Sequence, residues 1–494
     1  MVKDMERVVP ERVADLAAHG GGAVPPAGVG ESRGWSARAM GRWREPWSRR
    51  RLWTFWAASR AVLLTLVFAG RVLGAQQGVL GDVRLYAGWG EAFVHSHGLP
   101  VADETWQYPP GAVLVFAVPA LVHAVVGLSY RVGFPLFMVA IDAAVTAALA
   151  RAGGRPGLPG PGARIWLVGT LLLGPVTLAR FDLVPAACVV AGLLALGAGR
   201  PGRTGFAAMV GTLVKAWPAF LLVAVGRPSA RALARMAVGA AVAVAAVGLA
   251  LVAAGAGGDL LGFLGAQRAR GLQLEAVPAT VLVVIRMFGA GETARYSYGS
   301  LQFGDSTART VATVCTVVEL VVVAAVVVRW WLLPARTPAA AGAARAPADA
   351  SAGWAVIVCD RLLALLLVVL VTSRVLSPQY LLWVLAVAVT GVALAAGTGS
   401  DARAGAGADP ATSEVGRDAR GRRRTCLVML LAVVAISQLV YPWRYNDVIQ
   451  GRVVMSLVLV GRNALLLVAT WHAVRVSLAR PGGEPVASPR RRWP

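Results

Sequence analysis

The stretch RLLALLLVVLVTSRVLSPQYLLWVLAVAVTGVALAAG, residues 361–397, decides the fold class. Two long apolar runs are separated by a short polar break, TSRVLSPQ, in which Pro378 forbids one continuous helix. A bilayer-crossing helix needs about 20 mostly apolar residues. Extended to its natural ends, the stretch supplies two such segments, 354–372 and 377–397.

Working outward, the same pattern recurs at 53–74, 109–127, 132–150, 164–180, 183–198, 205–226, 236–255, 308–333, 426–441 and 453–476. That makes about eleven or twelve candidate spans, several of them short. Of 494 residues 57% are hydrophobic and 15% charged, against roughly 25% charged in ordinary soluble domains, and the mean hydropathy is +0.64. The chain is therefore expected to be an all-α polytopic membrane protein.

The formal charge of +23 is mostly arginine in connectors and tails. In a membrane protein this reads as retention of basic loops in the cytoplasm and contact with anionic headgroups, not as nucleic-acid binding. Cys188, Cys315, Cys359 and Cys426 sit in apolar runs at unrelated spacings, as small core residues do, and form neither a disulfide framework nor a metal site. Residues 1–52 are Gly/Pro-rich and end in WSRRR, too long a basic leader for a signal peptide, so they read as a cytoplasmic tail before a retained helix.

The basic connectors 334–353 and 398–425, with the carboxyl-terminal tail 479–494, belong in the cytoplasm with the amino terminus. The connector 75–108 carries Asp82, Glu91, Asp103 and Glu104 against Arg84 alone and belongs outside, as does 256–307. Between the two tails lies the span-bearing domain, 53–478. One connector objects: 151–163 holds Arg151 and Arg155 beside Arg164, yet strict alternation puts it outside. Either the bias fails for a short loop, or 109–127 is re-entrant and GTLVKAWP breaks the helix 205–226, which restores the rule. Segments 337–353 and 399–418 lack apolar periodicity and read as flexible linkers. Segment 256–307 reads as amphipathic or interfacial helices.

Ionisable groups in or beside a bilayer are candidates for function. Asp82 follows the first span closely, at the height where a lipid-linked substrate presents its reacting bond, and suits a general base; the alternative is a helix N-cap. Lys215, one of only two lysines, lies in an apolar span three residues before Pro218, and is either a point charge for phosphate or a snorkelling side chain. Arg374 opens SRVLSPQYLLW and either neutralises a departing phosphate or anchors a helix end. Asp103 and Glu104 are solvated acids or substrate contacts. His95 and His97 lack a third ligand at a diagnostic spacing for zinc. Trp106 and Tyr108, in WQYPP, fit an aromatic belt or a sugar face. Arg180 and Asp182 are expected to pair across a tight turn, Arg268 and Arg270 to face outward toward lipid phosphates, and Asp142, Glu319 and Asp360 beside Arg361 to serve as pairing residues within the spans. No phosphate loop, dinucleotide-binding fingerprint or metal constellation is present, and no internal repeat is visible.

In order, GDVRLYAGWGEAF (81–93), GLPVADETWQYPPGAVLVFAVPAL (98–121), GTLVKAWPAFLLVAVGRP (211–228) and TSRVLSPQYLLWVLAVAV (372–389) resemble glycosyltransferase family 87. The resemblance runs from about residue 53 to 475. It implies a GT-C-like bundle and a catalytic acid in the first outer loop, which maps onto Asp82. It also implies a polyprenyl-phosphate sugar donor, mannose in actinobacterial members, with Lys215 and Arg374 at basic positions that recur in the family. Tyr86, Tyr108, Asp103, Gln379 and Tyr380 are the expected substrate contacts. The family's Gly-Gln-x-Asn-like tract is replaced by LARFDLVP (178–185), a departure that bears on donor and acceptor identity.

The resulting expectation is an inverting glycosyltransferase at the outer face of the cell membrane, moving sugar to a lipid or glycan acceptor without metal or cofactor. The alternative is a lipid-linked-sugar flippase or other transporter, which would concentrate polar groups at the midplane in paired broken helices.

Overall fold

Ser48 opens the first helix, its hydroxyl accepting from the Arg51 amide at 3.2 Å, so the tail gives way to helix at Arg49, slightly before the expected boundary. The computed structural model describes residues 47–96, 98–100, 106–154, 158–256, 260, 263, 270–297, 299–332, 348–397 and 410–478. Helix α1 is Arg49–Ala69, α2 Gly81–Ser96, α3 Ala112–Val126, α4 Tyr130–Arg151, α5 Pro161–Leu173, α6 Leu183–Gly197, α7 Pro201–Val214, α8 Ala219–Val225 and α9 Ala230–Ala253. After a small sheet follow α11 Ser306–Leu332, α12 Ala348–Thr372, α13 Leu381–Gly397, α14 Pro410–Gln438 and α15 Val453–Leu478. Helix already begins at Ala348 and Pro410, inside both segments read from sequence as linkers. Eight of the described helices are long and apolar enough to cross a membrane, and the protein is an all-α polytopic membrane protein.

Neighbouring elements show which helix ends lie together. At one end, Gly153 packs on Ala393 and Ala396, Gly197 on Leu394 and Ala355, and Gly226 on the Arg361 guanidinium. The helix ends that flank the basic connectors, at Ala348 and Gly397 among them, belong to this end. At the opposite end, Arg84, Arg131, Pro175 and Trp443 line one cavity with Gly81. Because residues 81–84 and 131 share that end, the α2–α3 hairpin returns the chain to where it began, and α3 does not cross. The antiparallel hairpin is closed by Tyr86 stacked on Phe116 at 4.6 Å. In turn, 205–226 is two pieces: the chain is extended at Lys215, at φ −158° and ψ 129°, and resumes as α8 after Pro218. These two changes place Arg151 and Arg164 at the basic end, which removes the conflict with the positive-inside rule.

Helices α7 and α9 meet without side chains between them: a Cβ at Gly239 would strike the Gly202 carbonyl, and one at Gly205 the Met236 carbonyl. Small residues allow such close backbone approach where lipid supplies no hydrophobic drive for association. The opposite faces of α9 and α11 are largely exposed and apolar, with 17% and 11% of their spanning windows buried.

Beyond α9, the chain builds a cap and not only the interfacial helices expected of 256–307. Strands β1 (Leu272–Gln273), β2 (Arg295–Ser297) and β3 (Ser300–Phe303) form an antiparallel sheet in the order β1-β3-β2, pairing Gln273 with Gln302 and Tyr296 with Leu301. Helix α10, Thr280–Met287, completes it. The cap is tied to the bundle by the Gln273 amide donating to the Arg374 carbonyl at 2.9 Å and by the buried Arg462 Nη2 donating to Glu275 Oε2 at 3.1 Å.

Candidate active site

Asp82 stands in the first turn of α2, and the loop before it is fixed from two sides. The Gln76 and Gln77 amides donate to the Trp443 and Pro442 carbonyls at 3.2 and 3.0 Å, while Gln77 Nε2 donates to Asn446 Oδ1 at 2.7 Å. Arg180 Nη1 donates to the Val79 carbonyl at 2.7 Å. The guanidinium thereby reaches Asp82, with Nε 2.9 Å from Oδ2. That contact is an ion pair and not an aligned hydrogen bond, since Nε makes none. The carboxylate is held electrostatically, keeps lone pairs for an incoming proton, and is 23% exposed.

The expected pairing of Arg180 with Asp182 is therefore incorrect. Arg180 turns to Asp82, and Asp182 to Lys215, whose Nζ lies 2.7 Å from Asp182 Oδ1. Trp383 Nε1 donates to the same oxygen at 2.7 Å. The turn between Ala179 and Leu183 points the two side chains to different partners, and each finds one across the bundle. Lys215 is neither snorkelling nor bare. Its ammonium sits over the rings of Phe181, Tyr380, Trp383 and Tyr108 at 4.8, 5.1, 5.3 and 5.5 Å, a cage of ring faces that attract cations. Because Lys215 ends α7 in extended backbone, its side chain projects into this space instead of along a helix.

Asp82, Tyr86, Tyr108, Lys215, Gln379 and Tyr380 line one narrow pocket. It adjoins a chamber of about 590 Å³ through shared walls at Gln107, Tyr108, Lys215, Arg270 and Tyr380. Arg374 and Glu319 line the chamber farther along, so five of the expected residues share the pocket with Asp82 while Arg374 stands apart from it. Asp103 and Glu104, with His97, Arg155 and Arg268, lie outside the described residues. His95 Nδ1 pairs with the Glu91 carbonyl at 2.7 Å, and no group of three potential metal ligands occurs among the described residues.

Two readings change with the geometry. Arg270 does not face outward: it is 8% exposed, donates to Ser300 Oγ at 3.3 Å, and lines both spaces. The cap folds it inward, which no helical periodicity announces. Trp106 is not in an aromatic belt but buried against Trp89 at 5.3 Å, behind the pocket. Tyr108 also remains a neutral phenol, because burial, then the charge of Asp82, pushes its ionisation upward.

Glu275, outside the spans, is pushed up to about 7 by burial against the opposing pull of Arg462.

Residues 106–348 match the family model Glycosyltransferase family 87. The chain belongs to glycosyltransferase family 87. It is a membrane glycosyltransferase. No curated protein and no solved structure matches the chain. The family match includes Tyr108, Lys215 and Arg270 and begins after Asp82, and it stops before Arg374, Gln379 and Tyr380. The family therefore supplies the reaction class, and the fold joins the matched residues to those outside the match.

On the other flank of Asp82, a second cavity of about 540 Å³ is lined by Gly81, Val83, Arg84 and Tyr130. The pocket and this cavity lie against opposite faces of the first turns of α2.

Proposed function

We propose that the protein transfers a sugar, mannose in the first instance, from a polyprenyl-phosphate donor to a lipid or glycan acceptor with inversion, at the extracytoplasmic face of the cell membrane. The observation that carries this reading is the accessible Asp82 carboxylate, 2.9 Å from Arg180, opening on a pocket whose other walls supply Lys215 and Arg270.

In the reaction, Asp82 accepts the proton of the acceptor hydroxyl as that oxygen attacks the anomeric carbon. The bond from that carbon to the phosphate oxygen breaks, and its electron pair leaves with the phosphate. Charge therefore accumulates on the departing oxygen, where preorganised cations have their largest effect. Lys215, Arg270 and Arg374 outnumber Glu319 along the chamber wall. Asp182 orients the ammonium and offsets part of its charge, so the two arginines carry the greater share of phosphate neutralisation. Tyr86, Tyr108, Gln379 and Tyr380 offer ring faces and an amide to the sugar. Arg180 holds the base in place. The helix ends that flank the basic connectors, at Leu332, Ala348, Gly397 and Pro410, lie away from Asp82, which supports an outer site by the positive-inside rule.

The polar residues of the pocket cluster at one end of the bundle and not at its midplane, which favours chemistry over transport. The test supplies purified protein in lipid with radiolabelled polyprenyl-phosphate mannose and a membrane lipid extract. Transfer by the wild type and none by Asp82→Asn is expected. Equal transfer by both overturns the assignment of Asp82.

A further inference from the structure

The buried cations of this protein fall into two classes by what holds them. Arg60, Arg180, Lys215 and Arg462 each meet a carboxylate, of Asp142, Asp82, Asp182 and Glu275 in turn, at 2.7, 2.9, 2.7 and 3.1 Å. Arg270 is held differently. Its Nη2 donates to the neutral Ser300 hydroxyl at 3.3 Å, its buried Nε donates to nothing among the described residues, and no carboxylate among them pairs with it. A buried charge is costly unless something matches it. Arg270 lines both the pocket and the chamber, so a ligand there can supply the match.

One side chain builds this neutral hold. Gln302, on β3, is buried and uses both ends of its amide. Its Nε2 donates to Ser300 Oγ at 3.1 Å and to the Ser297 carbonyl at 2.7 Å, and its Oε1 accepts from the Gly271 amide. Donation from Gln302 fixes the Ser300 oxygen as an acceptor, and Arg270 takes the other of its two lone pairs. The Gly271 contact pins the backbone immediately beside Arg270. The Ser297 contact closes the turn whose Gly299 lines the pocket with Asp82. Across the sheet, the partner of Gln302 is Gln273, also buried, whose Nε2 donates at 3.0 Å to Ser377 Oγ, another wall of the pocket. A satisfied buried amide makes rigid what it joins.

We propose that Gln302 is a positioning residue for the leaving phosphate. Acting through Ser300, it aims Arg270 with neutral groups alone, so the guanidinium meets the phosphate with its charge undiminished. The proposal rests on the reading above, in which a phosphate departs from the sugar in this chamber. Lys215 shows the alternative arrangement, in which Asp182 orients the cation and offsets part of its charge. A glutamine at 302 supplies the orientation without the offset. Glutamate has nearly the same shape but would place a carboxylate within electrostatic reach of Arg270, so it separates the effect of position from the effect of charge.

The experiment compares Gln302→Glu, Gln302→Leu and Ser300→Ala in the full chain, each alone and combined with Arg270→Gln, in nanodiscs of phosphatidylcholine. Affinity for undecaprenyl phosphate is titrated by native mass spectrometry, and turnover is followed by the transfer of label described above. Gln302→Leu should loosen the guanidinium and lower turnover by about tenfold, and Ser300→Ala, a smaller change at the same oxygen, by a similar factor. Gln302→Glu should lower it by about 10²- to 10³-fold, as loss of the charge itself does. Affinity for the phosphate should weaken in the same order. A merely structural role predicts the reverse order, because glutamate can keep the Gly271 contact and leucine keeps none. With Arg270→Gln already present, each of the three should cost no more than about twofold, since residues that act through one another are not additive. A thermal melt shows which variants are folded, and Ser300→Ala carries the test if a change at 302 is not tolerated. Affinity needs no transfer, so it decides the proposal even where the transfer assay is silent, and silence with the affinity order intact would count against the reaction alone. Affinity weakened as much by Gln302→Leu as by Gln302→Glu, affinity unchanged in Ser300→Ala, or a full further loss in the Arg270→Gln background would each overturn the proposal.

Discussion

Two arginine–carboxylate pairs in this protein look alike as chemistry and differ in what surrounds them. Arg60 and Asp142 meet at 2.7 Å with side chains 2% and 0% exposed. Trp56 and Trp166 donate to the same carboxylate at 2.7 and 2.8 Å, and the guanidinium also donates to Thr170. Every lone pair of that acid has a donor, and the carboxylate is fully buried. Arg180 and Asp82 meet at 2.9 Å, but the acid is 23% exposed on a pocket, and the contact is not an aligned hydrogen bond. A sealed pair locks helices together. An open pair holds a base where a hydroxyl can reach it.

Exchanging the perturbation between the two pairs sharpens the contrast most. Asp82→Asn should lower sugar transfer by about 10²- to 10⁴-fold, the contribution of a positioned general base, while shifting the melting temperature by only a few degrees. The initial rate of label transfer in proteoliposomes measures this. Asp142→Asn should do the reverse. Removing one partner of a buried pair costs about 3–5 kcal/mol, so denaturation in detergent should show a large loss of stability, with transfer per folded molecule retained. A fall in specific activity as deep as that of Asp82→Asn would break the comparison.

Arg270→Gln tests the cations opposite the base. Losing one preorganised charge should reduce turnover by about 10²- to 10³-fold, with the acceptor concentration for half-maximal rate unchanged. An effect on acceptor saturation alone would move Arg270 from the leaving group to the acceptor.

The smallest effect concerns a third pair, Glu275 with Arg462, sealed like the first but set in the cap. Burial raises the Glu275 carboxyl to about 7 from an ordinary 4.5, so between those values the folded state binds more protons than the unfolded chain. Stability should therefore fall as pH rises from about 4.5 to about 7 and level off above. Glu275→Gln should flatten that slope in a melting-temperature series; an unchanged slope would assign it to other groups.

Much of this was legible from residues alone, and the exceptions share a cause. The helical bundle followed from the length of apolar runs, while the break at Lys215 was an option raised only to reconcile the basic connector 151–163. The short α3 was one of two options for 109–127, and the position of Arg131 beside Gly81 selected it. Asp82 and Lys215 were singled out by residue type in unexpected places, and Gln379 and Tyr380 by the resemblance of SPQYLLW to the family. Their partners were not, because Arg180 and Asp182 are neighbours in the chain and sequence proximity suggested that they pair. Arg270 was assigned to the surface because it lies in an arginine-rich outer connector, with no periodic pattern to turn it inward.

Local composition by itself determined that the chain is a membrane bundle, which end carries the arginines, and which polar side chains stand where lipid would disfavour them. These are properties of short windows, and transfer free energies act on short windows. The tertiary structure alone decided which acid each buried cation meets, which acid is sealed and which is open, and where the cavities lie. Those outcomes depend on contacts such as Lys215 to Asp182, 33 residues apart, and Trp383 to Asp182, 201 residues apart. A charge in hydrocarbon requires a partner, but packing of the whole bundle chooses which one it gets.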